Sequence, residues 1–563
     1  MKLYSLHITS TLAVAICILT SCGPSKTEMN KKIDVFLEHY DSIVPPLQKE
    51  MNLAYWNASL TGSEDGFKKV GELQKKLVEI YANKHDFELL KLAVKKGSEA
   101  DLVKKRRVEV LYNLYLSSQA DTALQNQIIN LQNEIEVKYS NFRAEVDGKK
   151  LSDNEIEDVL KTSIDSKTLE TAWNAHKAIG PVVANDILQL VKLRNKMAKE
   201  LGFSNYHEMS LKLSDQDPEM ISKLFDELDQ LTAPTFANLK VEIDSFFSIR
   251  YGVKSSELKP WHYQDRFFQE APAIYPVELD KYYKDKNLES LTRDYYASIG
   301  LEVSDIMKNS DLYEKPGKNQ HAYCMDIDNA GDVRVLCNMK PNAYWMNTML
   351  HEFGHAAYDK YIDPALPFDL RNPAHTFTTE AIAMMFGRLY TNPQWIQDMT
   401  GISNDEKVKI TDNCNKTLRL EQMVFSRWAQ VMYRFEKALY TDPNQDLNSL
   451  WWSLVEKYQL VKKPEGRNAP DWASKIHIAT SPCYYHNYLL GELLASQLHH
   501  YIVINCIHSD TIQNQSYYKN KQVGSYLIQK VFIPGSLMPW NEMIEKATGE
   551  KLTAKYYSEQ FAK

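Results

Sequence analysis

His351-Glu352-Phe353-Gly354-His355, HEFGH, is followed 25 residues later by Glu380 within TTEAIAMMFGRLY (378–390). On a helix, residues four apart share one face, so His351 and His355 can grip a single zinc ion. Glu352 then stands one step round the helix, placed to act as general base on a zinc-bound water. A metal site with a working open position needs a third protein ligand, and Glu380 supplies one. Thr378 or Thr379 is expected to cap the second helix, with Glu380 in its first turn. Alone, HExxH recurs by chance on surface helices, and an early helix glutamate is what the helix dipole favours. Together, His351, His355 and Glu380 as metal ligands and Glu352 as base point to a zinc peptidase with one Zn(2+) per chain.

Outward from that motif the chain reads as mostly helix. Over 187–201, apolar residues fall at 187, 190, 191, 197, 198 and 201, a helical stripe that Gly202 ends. Similar spacing recurs over 70–94, 123–142, 218–249 and 418–440. Strand signals are sparse. The best is 323–336, where Asp328-Asn329-Ala330-Gly331-Asp332 is turn material between two alternating runs. A strand beside the zinc helix is useful because its edge can pair with an extended peptide. Cys324 and Cys337 flank this turn symmetrically, and both a disulfide and two half-buried thiols remain open. The expected fold is mainly α: one large helical peptidase domain (31–563) of two lobes around a deep cleft, with a small β-hairpin beside the zinc helix.

The chain opens MKLYSLHITSTLAVAICILTSCGPSK. Lys2 is a positive n-region and 11–19 an apolar core too short to cross a bilayer, so residues 1–21 read as a signal peptide. Small residues before Cys22 resemble the lipobox of bacterial lipoproteins, which makes Cys22 the lipidated N-terminus and 22–30 a tether. The expected location is the bacterial cell envelope, the body held at a membrane only through its anchor. No Gly/Ser/Pro-rich linker divides the 563 residues, and no internal repeat is present. A net charge of −7 and a pI near 6.1 argue against a nucleic-acid surface. Beyond Cys17 and Cys22 stand Cys324, Cys337, Cys414, Cys483 and Cys506, an odd set in which at least one thiol is free.

Flanking segments carry a resemblance. Leu53-Ala54-Tyr55-Trp56-Asn57 with Ser59-Leu60-Thr61, Ala172-Trp173, Gly180-Pro181, the block 190–206, and Trp451-Trp452 with Leu454 and Lys457-Tyr458-Gln459 follow one order and spacing. In these and in HEFGH with Glu380, the chain resembles the angiotensin-converting enzyme family of zinc dipeptidyl carboxypeptidases. The first of these segments is similar to that family's N-terminal lid. The resemblance implies a peptidyl-dipeptidase acting as a monomer on oligopeptides with a free C-terminus. It also implies roles for residues that spacing alone does not assign. His321-Ala322 would hold the substrate backbone, Lys475 and Tyr485 the terminal carboxylate, and His477 and Tyr488 the developing oxyanion. Taken singly, each of these is an ordinary lysine, histidine or tyrosine, and only their joint order sets them apart. A carboxylate dock two residues beyond the metal, about 7 Å of extended chain, yields a C-terminal dipeptide.

The chain also departs from the family pattern. The interval from His355 to Glu380 is one residue longer, as is the gap after His477, and Met384 stands where animal members carry an aspartate, so the support of the ligand histidines must differ. Animal members bind activating chloride through arginines; the matching positions are Val455 and Asn487, so chloride is not expected to be required. The family's docking glutamine should lie near Pro260-Trp261-His262-Tyr263-Gln264, with Tyr263 and Gln264 both open. A thimet-type zinc endo-oligopeptidase is the alternative, and a peptide-binding lipoprotein without catalysis a further one. The intact Glu352 argues against the latter.

Overall fold

The computed structural model describes residues 26–96 and 101–563. The signal-peptide reading (1–21) and the lipidation assignment to Cys22 lie outside the described residues. Helices dominate, and the described strands form two antiparallel pairs. The stripe at 187–201 is the second half of Ile179–Glu200, and 218–249 is Pro218–Tyr251, opened by an Asp217 cap and closed by left-handed Gly252. The run 123–142 is Thr122–Asn141, and 418–440 is the buried half of the 38-residue helix Asn404–Thr441.

Two boundaries differ from the sequence reading. The stripe over 70–94 is two helices, Glu64–Tyr81 and Lys84–Lys96. Asn83 breaks it, because its side-chain oxygen takes the amide hydrogens of His85 and Asp86 and starts a new helix. Of the stretch 22–30 read as a tether, the described part is helical. The first helix, Lys26–Thr61, already buries Met29.

A principal hydrophobic core runs through the helices that carry the metal motif. A smaller one, containing Met29, Phe36, Leu90 and Leu111, joins the first helix to Lys84–Lys96 and Leu102–Ser117. The lid-like residues of the first helix lie on the hairpin: Trp56 packs with Ile327 and Leu336, and Asn52 donates to the Ile327 carbonyl at 3.1 Å. No helix among the described residues is long and apolar enough to cross a membrane.

The hairpin pairs Tyr323–Asp326 with Val333–Leu336, matching the sequence expectation. Its register places Cys324 opposite Val335, not Cys337. The five described cysteines are free thiols, so the disulfide alternative falls.

Candidate metal centre and active site

Three helices build the centre. The HEFGH helix (Ala343–Lys360) packs on the Glu380 helix (Thr376–Gly387), and that on the tyrosine helix (His486–Ile502). Two glycines permit the close approach. A Cβ on Gly354 would sit 2.9 Å from the Ala383 Cα, and one on Gly491 would sit 3.2 Å from the Glu380 Cβ.

His351, His355 and Glu380 converge. The Nε2 atoms of the two histidines lie 3.2 Å apart, and a Glu380 carboxylate oxygen lies 3.7 Å and 3.8 Å from them. One donor atom from each residue falls within a 4.8 Å set. Burial lowers His351 to a pKa of about 4 and drives His355 well down, aided by the neighbouring ring. Both imidazoles are therefore neutral at pH 7, the form that ligates. Two neutral nitrogens and a carboxylate facing one point suit Zn(2+).

The Glu380 helix begins earlier than expected. His375 caps it, its ring nitrogen accepting the Phe377 amide, so Glu380 sits in the second turn and neither Thr378 nor Thr379 is the cap. This frees Thr379 for another task. Its hydroxyl lies 2.7 Å from His355 Nδ1. With Nε2 turned to the centre, Nδ1 carries the hydrogen and donates it to Thr379, which supplies the support that a carboxylate at position 384 would otherwise give. Replacing Thr379 with valine keeps shape and removes the acceptor. Zinc affinity should fall about 10–100-fold, read by competition with a chromophoric chelator; an unchanged affinity would remove Thr379 from this role.

Glu352 is buried beside the three ligands in a cavity of about 450 Å³, whose wall includes Ala322, Cys324 and Thr379. Burial and then the charge of Glu380 push its carboxyl up to about 8, opposed by a hydrogen bond from the Cys324 amide. The hairpin thus helps to orient the Glu352 carboxyl. Ala322 is on the cavity wall, whereas His321 is exposed and outside it.

Tyr485, Tyr488, Lys475 and His477 form a second cluster linked to the first. Tyr488 feels the charge of Glu380, and its ring lies 5.5 Å from that of Tyr485, which lies 5.3 Å from His477. Burial, then the charge of Lys475, lowers His477 to about 4, and its buried Nδ1 has no hydrogen-bond partner. Lys475 is buried against the rings of Phe267, Trp428 and Tyr485, and desolvation lowers it to about 8.

Two residues of this cluster escaped the sequence reading. Lys475 Nζ donates to Gln269 Oε1 at 2.6 Å. The glutamine beside Lys475 is therefore Gln269, and neither Tyr263 nor Gln264 contacts that lysine. Tyr263 is hydrogen-bonded to Lys240 and Asp244, and Gln264 to the Lys161 carbonyl and the Ala273 amide. Asp265 shapes the loop by accepting the amides of Phe267 and Gln269. The other is Tyr484, whose hydroxyl is raised by burial and then by Glu380, as that of Tyr488 is. Its i,i+4 spacing to Tyr488 was the available signal.

A sequence model of the angiotensin-converting enzyme family matches residues 27–259 and 271–561. Angiotensin-converting enzyme of Mus musculus is 23% identical over 92% of this chain and 41% of its own length. That of Mesocricetus auratus is 23% identical over 70% of this chain and 32% of its own. Carboxypeptidase 1 of Bacillus subtilis is 26% identical over 40% of this chain and 49% of its own. The chain thus spans about a third to two-fifths of the length of these two animal relatives. With the match extending over nearly all of the described residues, the chain belongs to the angiotensin-converting enzyme family of peptidases.

Proposed function

We propose that the protein is a zinc-dependent peptidyl-dipeptidase, removing C-terminal dipeptides from oligopeptides. The observation that carries the reading is the convergence of His351, His355 and Glu380 beside buried Glu352 in an open cavity. His351, His355 and Glu380 would hold a zinc ion, which would supply Lewis acidity and make water more acidic. Glu352 accepts a proton from the attacking water on its carboxylate and returns it to the nitrogen of the departing amine. His477 and Tyr488 donate hydrogen bonds to the oxygen that becomes negative, each contributing about 3–4 kcal/mol to the barrier. Lys475, with Gln269 and Tyr485, holds the terminal carboxylate by charge and hydrogen bond. The lipid tether at Cys22 is part of the same proposal and places the enzyme among envelope peptides.

Neither position that matches the family's chloride-binding arginines carries a cation. Val455 is apolar and Asn487 accepts from Gln216 at 2.7 Å. The nearby buried Lys177 faces the Phe267 ring at 3.3 Å and Ser474 Oγ at 3.2 Å, while the Trp452 indole donates to Asp471. Mass spectrometry of products from peptides with free and amidated C-termini tests the whole reading. Successive losses of two residues are expected from free ends only, abolished by chelator and equal with and without chloride. Cleavage inside amidated peptides would indicate an endo-oligopeptidase, and strong chloride activation would overturn the chloride assignment.

A further inference from the structure

A second cavity, of about 290 Å³, opens at the C-terminal end of the Glu380 helix. Its walls come from the turn at Arg388–Thr391, the helix Asn404–Thr441, the loop 513–517 and the chain's last residues. Cations outnumber carboxylates among the side chains lining it. Arg388, Lys416, Arg419 and Lys563 line it with a single carboxylate side chain, Asp412, which pairs with Lys416 at 2.8 Å, while Lys563 pairs with Glu559 at 3.4 Å outside the lining.

Two guanidinium groups there are left with unused donors. Arg419 Nε donates to the Phe561 carbonyl at 2.9 Å, yet among the described residues no carboxylate lies within ion-pair distance of it. Arg388 is ion-paired with Glu492, and its side chain is only 9% exposed. Even so, its buried Nε has no acceptor. The other nitrogens of Arg388 are taken by Glu492, Gln422, Ser496 and Gln560, so Arg419 is the cation whose remaining donors an oxyanion in the cavity would occupy. Guanidinium forks match the planar or tetrahedral oxygens of carboxylates and phosphates.

The cavity has no group fit for catalysis. His499 uses both ring nitrogens, on Tyr517 and the Ile512 carbonyl, and burial raises the Cys414 thiol to about 11. Its volume lies at the lower end of the range for small-molecule sites, about 300 Å³. We propose that this cavity is a binding site, separate from the peptidase centre, for a small oxyanion: inorganic or organic phosphate, or a compact carboxylate. The tyrosine helix forms a shared wall, since Glu492 holds Arg388 while its neighbour Gly491 packs against Glu380.

Calorimetric titration of the zinc-loaded full chain tests the site, with inorganic phosphate and succinate in separate arms at constant ionic strength. Saturable binding of one anion per chain is expected in at least one arm, and the arm that responds names the chemistry. Arg419→Gln should weaken it about tenfold or more, the cost of a charge-assisted contact. Exposed Lys416→Gln provides a second variant should the first fold poorly, with a smaller loss expected. No saturable binding of either anion would overturn the proposal. So would binding that both variants leave unchanged, which would place the anion at the metal centre. Peptide hydrolysis is not read, so failure of the peptidase assignment leaves this test standing.

Discussion

Glu352→Gln is expected to lower peptide hydrolysis by roughly 10²–10⁴-fold, the usual contribution of a positioned general base. The amide can neither accept the proton of the attacking water nor return it to the leaving nitrogen. Zinc content should stay the same, because the converging donors belong to His351, His355 and Glu380. A second readout separates chemistry from folding. In the metal-free protein, burial and then the charge of Glu380 hold Glu352 near 8, and burial and then the charge of Glu492 hold Glu380 near 7, against ordinary values of 4.5. The native state then binds more protons than the unfolded chain between pH 4.5 and 8, so stability falls as pH rises through that window. Removing one of the two acids should make the metal-free variant more stable than the parent at pH 8, by on the order of 3 kcal/mol, with the difference vanishing near pH 4. Thermal midpoints of metal-free protein across this range check the sign. Undiminished turnover by a clean Glu352→Gln preparation would sink the mechanism.

Legibility in the sequence followed how local each determinant is. The metal ligands were readable because a four-residue helical spacing fixes two of them. Helices such as Pro218–Tyr251 were readable because an apolar stripe, an Asp cap and a closing glycine agree. The hairpin register was not foreseen for the cysteines, since symmetric placement about a turn does not fix which residues pair. The cap of the Glu380 helix was missed because a histidine ring can take the part usually played by serine or aspartate. That error hid the role of Thr379. Gln269 was missed for a different reason. It lies in an irregular loop, inside the stretch 260–270 that the family match leaves uncovered, and only tertiary contact brings it to Lys475. Loops carry function on conformations that periodicity does not encode.

Lys475→Met should separate the exopeptidase from the endopeptidase reading more sharply than any other single change. The ammonium is held by Gln269 and three aromatic faces, so it is positioned before substrate arrives. Losing its charge-assisted bond to a terminal carboxylate costs about 1.5–3 kcal/mol, roughly ten- to a hundredfold in kcat/KM on peptides with free C-termini. Peptides amidated at that end have no carboxylate to hold, so their slow turnover should not change. Methionine fills a similar apolar space, so the fold should tolerate it, and an unchanged melting temperature of the zinc-loaded protein checks this. A pH arm follows from the same geometry. Burial brings Lys475 down to about 8, so the anchor is charged at neutral pH and loses its charge as pH rises above that value. KM for free-ended peptides should therefore climb through pH 8–9 in the parent enzyme, and stay flat over that range in Lys475→Met. Lys475→Arg keeps the charge and should remove the upward step while altering the fit. Equal loss on free and amidated peptides would mean that Lys475 supports the fold rather than the substrate, and the dipeptide-releasing mode would fall with it.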